Sequence, residues 1–340
     1  MTTLYESKRV TLHDVAEFVG VSYQTVSRVI NDSPHVSRVT RQRVLRAIKE
    51  LNYQPNHAAR SLVTRRSNLL EVITFGSDHY GPSQMLVQVE RAARKLHYQL
   101  ILTNIVEMTL SEIQSAIRSL SRRLVDGLIL ITPVTGVGYE ELAALCKGTP
   151  FVVIDSQLGS NTPSVTINQY YGSQLVTQHL IDLGHREICE ISGPLNWFGA
   201  LARHESWGAT LQAAGLTPGM SIEADWTAVG GYTAAHRLLE QKAAFTALVV
   251  GNDQMALGAM RALREHGLRI PDDVSVVGFD DIPEAVCFEP PLTTVRQDFD
   301  SLGSQSVEYL VSLINDQNTP LQQRVLYPTL VVRQSTRSNS

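Results

Sequence analysis

From Ser22 to Asn31 the chain reads SYQTVSRVIN, and its polar groups are spaced to hydrogen-bond the edges of DNA bases. At 100° per residue on a helix, Gln24, Ser27, Arg28 and Asn31 fall within an arc of roughly 100°, with Tyr23 on its edge. Val26, Val29 and Ile30 take the other side. Arginine on such a face suits O6 and N7 of guanine, and glutamine suits N6 and N7 of adenine. A helix in the major groove needs a second helix to hold it there, as in a helix-turn-helix. The residues just before supply one. Thr11 caps it, Asp14 completes a capping box, and Val15, Ala16 and Val19 form its apolar stripe. Gly20 ends it, and Ser22 caps the second helix. The competing reading is an amphipathic hairpin with a merely wet outer face; turn, caps and polar face together favour groove reading.

A second set of chemistry-bearing residues stands at the ends of apolar runs. Asp155 follows FVVI, Asp253 follows VVGN, and Asp280-Asp281 follow VVGF. Parallel sheets bind ligands at the C-terminal ends of their strands, but a carboxylate there also caps helices and turns. Capping is preferred for Asp253 and Asp281; for Asp155 and Asp280 the two readings stand level. Trp226, in EADWTAVGG, sits in a Gly-flanked loop. The apolar CH face of a sugar stacks on such a ring while carboxylates and arginine take its hydroxyls, with core packing as the competitor. Nothing resembles a catalytic motif: there is no GxxxxGK(S/T), no GxGxxG between strand and helix, and no GxSxG. His179 and His185 lack a carboxylate at metal spacing and read as structural. Cys146, Cys189 and Cys287 are odd in number and far apart, hence reduced thiols. No enzyme, metal or cofactor is indicated.

The elements that must hold these groups fall into unlike parts. Up to Arg66 there are eleven Lys and Arg against five Asp and Glu, while the whole chain of 340 residues carries a net −4. A basic head on an acidic body is the electrostatic footprint of a nucleic-acid-binding module joined to something else. A third helix is expected from Ser37 through Leu51, with Val44, Leu45, Ile48 and Leu51 inward. Asn56–Val63 is helix-compatible but too short to be stable alone, and is expected to order against DNA or a partner. From Leu69 onward, short apolar runs alternate with amphipathic stretches, which implies two parallel sheets covered by helices on both faces. The helix Leu302–Ile314 and the strand-like RVLYPTLVV are expected to return to those sheets. Two such lobes with a cleft suit a small ligand. The expected division is a head at 1–55, a hinge and linker at 56–68, and a body at 69–340, with one lobe of 69–167 plus 299–326 and another of 168–298 plus 327–335. MTTLYESKRV has no hydrophobic signal segment and no run is long enough to span a bilayer, so the expected location is the cytoplasm, away from membranes.

VTLHDVAEFVGVSYQTVSRVIN and LNYQPNHAARSL resemble the head of the lactose/galactose repressor family of bacterial transcription regulators. GPSQ at 81–84, VDGLI, HLIDLGHREI, SGPL at 192–195, NDQMALGAMRAL, VSVVGFDD and PPLTTVRQDF extend the resemblance over nearly the whole chain. It implies an all-α helix-turn-helix head on an α/β two-lobed periplasmic-binding-protein-like body. It also implies a homodimer on a roughly palindromic double-stranded operator, with Tyr23, Gln24 and Arg28 reading bases. Thr11, Ser22, Thr25, Ser27, Asn31, Ser37, Thr40, Tyr53 and Asn56 match phosphate-contacting or orienting positions. Leu62 matches a wedge that enters the minor groove. In the body, Asp155, Arg203, Asn252 and Asp280 match positions that bond sugar hydroxyls. Trp226 matches a stacking ring, Gln297 lies nearby, and His79, Pro82 and Met85 fall on the pocket wall. His79, Met85, Ile167, Trp197 and Gly199 differ in type from the family member most resembled, and no leucine heptads precede Ser340, so a dimer is expected. The implied function is a repressor released by a sugar inducer such as a galactoside; a branch of the family uses purines as corepressors instead. A sugar-binding transport protein would account for the body alone.

Overall fold

Thr11 and Asp14 close the capping box that their spacing predicts. The backbone N–H and Oγ1 of Thr11 both donate to Asp14 Oδ2 at 2.7 Å, and Asp14 N donates to Thr11 Oγ1 at 3.3 Å. The structure, a computed structural model, describes residues 10–30, 33–53, 66–106, 109–120, 125–131, 139–159 and 161–339. Chain contacts divide it into Met1–Ser67 and Asn68–Ser340.

In the first unit, helix α1 (Leu12–Val19) ends at Gly20, whose φ of 70° is the left-handed value glycine adopts without strain. Helix α2 (Tyr23–Ile30) and helix α3 (Arg38–Glu50) follow. Val15, Ala16, Val19, Val26, Val29, Val44, Ala47 and Tyr53 form one small core. The inner face of α3 differs from the expectation in one residue: Leu45 is 51 % exposed, and Ala47 is buried in its stead. Val44, Ala47, Ile48 and Leu51 recur at helical spacing, and Leu45 lies about 100° round from Val44, beyond the reach of so small a core. Arg43 Nη2 donates to Val19 O at 2.7 Å and so closes the C-terminus of α1.

The second unit is built on two parallel sheets. The first runs in the order Gln323–Leu326, Ser164–Ile167, Phe151–Ile154, Gly127–Ile131, Leu69–Phe75, Gln99–Ile105. The second runs Ser221–Glu223, Ile188–Ser192, Ala247–Val250, Ser275–Val277. Alternate residues point to opposite faces, so each sheet carries two cores. Leu70, Val72, Ile129 and Ile154 pack under the helices Tyr80–Lys95 and Phe299–Asn315; Ile73, Leu128, Leu130 and Val153 pack on the other side. In the second sheet Ile191, Leu248 and Val250 face one way, while Ile188, Val249 and Val277 face the other.

RVLYPTLVV is not one strand. Gln323–Leu326 joins the first sheet beside Ser164–Ile167, and Thr329–Val331 pairs antiparallel with Thr294–Arg296. Pro328 lies between them and lacks the N–H that a continuous ladder requires. The strand Ser164–Ile167 and the helix Tyr139–Cys146 have no counterpart in the sequence reading. Among the described residues no helix is long and apolar enough to cross a membrane.

Candidate functional site

The head presents one polar face. Gln24 and Arg28 are exposed, Ser27 and Thr25 are half-buried, and Tyr23 is 47 % exposed with its ring stacked on His13 at 4.8 Å. Thr11, Ser22 and Ser37 stand at the starts of the three helices. Thr25 N donates to Ser22 Oγ and Thr40 N to Ser37 Oγ, each at 3.2 Å. Helix starts in this arrangement leave further backbone N–H groups facing outward, where phosphate oxygens suit them. Tyr53 departs from the other matched positions: only 8 % exposed, its ring belongs to the core of the head. Asn31, Asn56 and Leu62, with the helix expected at Asn56–Val63, lie outside the described residues.

In the body the C-terminal ends of both sheets converge on a cleft of about 590 Å³, its open mouth included, lined among others by Asp155, Gln169, Arg203, Trp226, Asn252 and Asp280. Arg203, on the helix Phe198–Ala213, is its hub. Its Nε and Nη2 donate to Gln169 Oε1 at 3.0 and 2.7 Å, and Nη1 donates to Gly251 O. Its Cζ lies 3.7 Å from the ring centroid of Phe279 and 5.6 Å from that of Trp226. Gln169 Nε2 donates to Gln297 Oε1 at 2.9 Å, and Gln297 Nε2 to Asp280 Oδ1 at 2.6 Å. Asp280 Oδ1 is 4.0 Å from Arg203 Nη2.

Burial pushes Asp155 up to about 6, against the pull of Arg203 and a hydrogen bond with Gln169. Asp280 also rises to about 6 through burial, opposed by Arg203 and Gln297 and helped by the charge of Asp155. Above a pH of about 6 both are therefore anions whose charge Arg203 only partly offsets, at 4.0 Å from Asp280. Asp155 (φ 63°), Trp226 (φ 72°) and Asp280 (φ 112°) all hold left-handed backbone, which costs non-glycine residues of order 1–3 kcal/mol each. Strain of this kind clusters where side chains must be aimed.

Trp226 has both of the roles weighed for it. It is 7 % exposed and belongs to a core, yet its ring lines the cleft. The indole lies against Gly193, where a Cβ would come within 2.2 Å of Trp226 Cη2, so only glycine admits the ring. Asn252 caps the helix Asp253–Glu265 through Oδ1 to Met255 N at 2.8 Å, and Nδ2 donates to Trp226 O at 3.1 Å. It holds the tryptophan loop and keeps one N–H for the cleft. His79, Pro82, Met85 and Gln297 also line the cleft, as do Trp197 and Gly199; Ile167 does not.

Asp253 and Asp281 are structural. Asp253 is fully buried and accepts from Thr294 Oγ1 at 2.5 Å and Ile282 N at 2.9 Å, whereas Asp281 pairs with Arg296 and Arg333 at 2.6 and 2.5 Å. His185 is buried among Thr246, Ser275 and the carbonyl of Arg337. The cysteines are free. Among the described residues no cluster of His, Cys, Asp and Glu fits a metal ion. Sequence reasoning missed five cleft residues: Tyr80, Gly81, Ile131, Ile154 and the polar Gln169. Gln169 follows a strand, SVTI, whose two hydroxylic residues break the apolar run that marks a strand end.

Residues 11–56 match the model of bacterial regulatory proteins of the lacI family, and residues 177–336 match a periplasmic binding protein-like domain. The lactose operon repressor of Escherichia coli (strain K12) is 37 % identical over 97 % of this chain and 91 % of its own length. The HTH-type transcriptional repressor PurR of Histophilus somni (strain 129Pt) is 34 % identical over 96 % of this chain and 99 % of its own. A crystal structure of the Lac repressor dimer bound to operator and the anti-inducer ONPF superposes with a TM-score of 0.91 at 37 % identity, covering 97 % of this chain and all of that one. A CelR–cellobiose complex matches with a TM-score of 0.71 at 31 % identity, over 96 % of this chain and all of that one. The helix-turn-helix head with its exposed polar face, the two-lobed body and similarity along nearly the whole chain agree: this protein belongs to the lacI family of bacterial regulatory proteins and is a DNA-binding transcriptional repressor, not an enzyme.

Proposed function

We propose that a small sugar of the galactoside type is the effector, binding in the cleft of the body and releasing the repressor from its operator. The observation that carries this reading is the grouping of Asp155 and Asp280, two buried carboxylates, with the Arg203 guanidinium beside the indole of Trp226. A sugar ring gives a hydroxyl donor to each carboxylate, accepts from Arg203 and Asn252, and lays its CH face on the indole. Gln297 orients Asp280, and His79, Pro82 and Met85 wall the far side. The relative described as a CelR–cellobiose complex supports a carbohydrate ligand.

On the DNA side, Tyr23, Gln24 and Arg28 read bases in each half-site. Thr11, Ser22, Thr25, Ser27, Asn31, Ser37, Thr40 and Asn56 engage or orient toward phosphates, and Tyr53 braces them from the core. Leu62, in the hinge of 56–68 between the head at 1–55 and the body, enters the minor groove. A homodimer meets a two-fold operator with two heads. The work is done in the cytoplasm, beside the DNA it controls.

A purine corepressor is the second reading, favoured by the 34 % identity to PurR and by an aromatic ring over which a flat base stacks. The test is an operator-release titration. Labelled operator, bound to the repressor, is challenged with galactosides, glucosides and purines while anisotropy is followed. Release by a galactoside supports the sugar reading; tightening by a purine, with no sugar acting, replaces it.

A further inference from the structure

Trp197 is the residue by which one lobe reaches into the other. It precedes the helix Phe198–Ala213, beside the second sheet, and its ring crosses to the end of the strand Leu69–Phe75 of the first. There it meets Phe75 at 5.5 Å and 53°, and His79 edge-on at 5.5 Å and 75°. On its other side it meets Trp226 edge-on at 5.8 Å and 67°. Gly76, with φ 64°, gives the ring its seat: a Cβ there would come within 2.7 Å of Trp197 Cη2. His79, Trp197 and Trp226 line the cleft, whereas Phe75 and Gly76, which the Trp197 ring touches, do not. The indole thus closes the cleft against Phe75 and Gly76 at the end of the first sheet.

We infer that Trp197 is a specificity-determining residue that ends the cleft next to the Trp226 platform and restricts the effector to a single ring with a small substituent. This rests on the reading of the cleft as the effector site. A ligand extended toward Phe75 must displace an indole held by three rings and a glycine seat, and so loses the contacts that indole makes. Without the indole, the volume it now fills against Phe75 and His79 joins the cleft, and a second ring gains a place to pack.

The test measures size selectivity by calorimetry in the full-length parent, Trp197→Ala and Trp197→Phe. Two matched pairs are used: methyl β-galactoside with lactose, and hypoxanthine with inosine. In whichever pair binds, the parent favours the smaller member by about tenfold or more; Trp197→Ala reduces that ratio by about tenfold, and Trp197→Phe falls between. An unchanged ratio in all three proteins overturns the inference. Binding by the purine pair alone removes the sugar reading while still testing the closure by Trp197. No binding of any of the four by the parent overturns the effector site, and the inference with it.

Discussion

Arg203 is held by an amide. Its Nε and Nη2 share the single oxygen Oε1 of Gln169, while the Asp280 carboxylate stands 4.0 Å away. Gln169 passes the constraint on through Nε2 to Gln297, which donates to Asp280. One glutamine therefore fixes the guanidinium without neutralising it. Both remain available to a ligand. Gln169→Leu removes the acceptor shared by Arg203 Nε and Nη2 and the donor to Gln297 Oε1, and should weaken the effector by about 1–3 kcal/mol while operator binding persists. Unaltered effector affinity by calorimetry would show that the amide is dispensable.

The carboxylates predict a pH dependence. Asp155 and Asp280 rise to about 6 in the folded protein, above their ordinary value of 3.8. Between those limits the native state holds protons that the unfolded chain has released, so these groups make stability fall as pH rises from about 4 to 6. Effector binding runs the other way. Hydroxyls need ionised acceptors, so affinity should be level above about pH 7 and drop toward pH 5, by about tenfold per unit for each ionisation required. Calorimetry at several pH values checks it; an affinity that rises on acidification would mean that the ligand accepts from these groups instead.

Gly193→Ala tests the indole platform. The added Cβ would lie 2.2 Å from Trp226 Cη2, so the ring must move. Effector affinity should fall about tenfold or more, roughly 1.4 kcal/mol, with operator affinity retained. If sugars bind the variant as they bind the parent, Trp226 is core only.

Arg28 is exposed on the outer face of the second helix, free of the core that Val26 and Val29 join. Arg28→Ala should cost about 1–3 kcal/mol and relax specificity at one base pair per half-site. An equal loss across all operator variants, measured by anisotropy, would make it a phosphate contact.

The head was the most legible part of the sequence, because caps are local. Thr11, Asp14, Gly20, Ser22 and Ser37 state their roles within three residues of themselves. Leu45 was misread because a leucine next to an apolar stripe looks like part of it, and only the size of the opposing core decides. In the body, strand ends exposed Asp155 and Asp280, but equally Asp253 and Asp281, and only partners separate the pairs. Asp253 is held by Thr294 and Ile282, and Asp281 by Arg296 and Arg333. Gln169 was invisible for the converse reason. Its partners, Arg203 and Gln297, lie 34 and 128 residues away, and no local pattern announces them. Trp197 needed a contact between lobes, which no periodicity encodes.

Effector and operator should oppose one another through the body. A ligand can release DNA only by the difference in its affinity for the two states, typically about 1–3 kcal/mol, and the linkage is reciprocal. The direct measurement is the galactoside dissociation constant by calorimetry, with the free repressor and with the repressor saturated by operator. Operator should weaken the sugar by the same factor by which the sugar weakens operator, about 5- to 150-fold. Equal affinity in both states, or tighter binding to the operator complex, would contradict induction by this ligand.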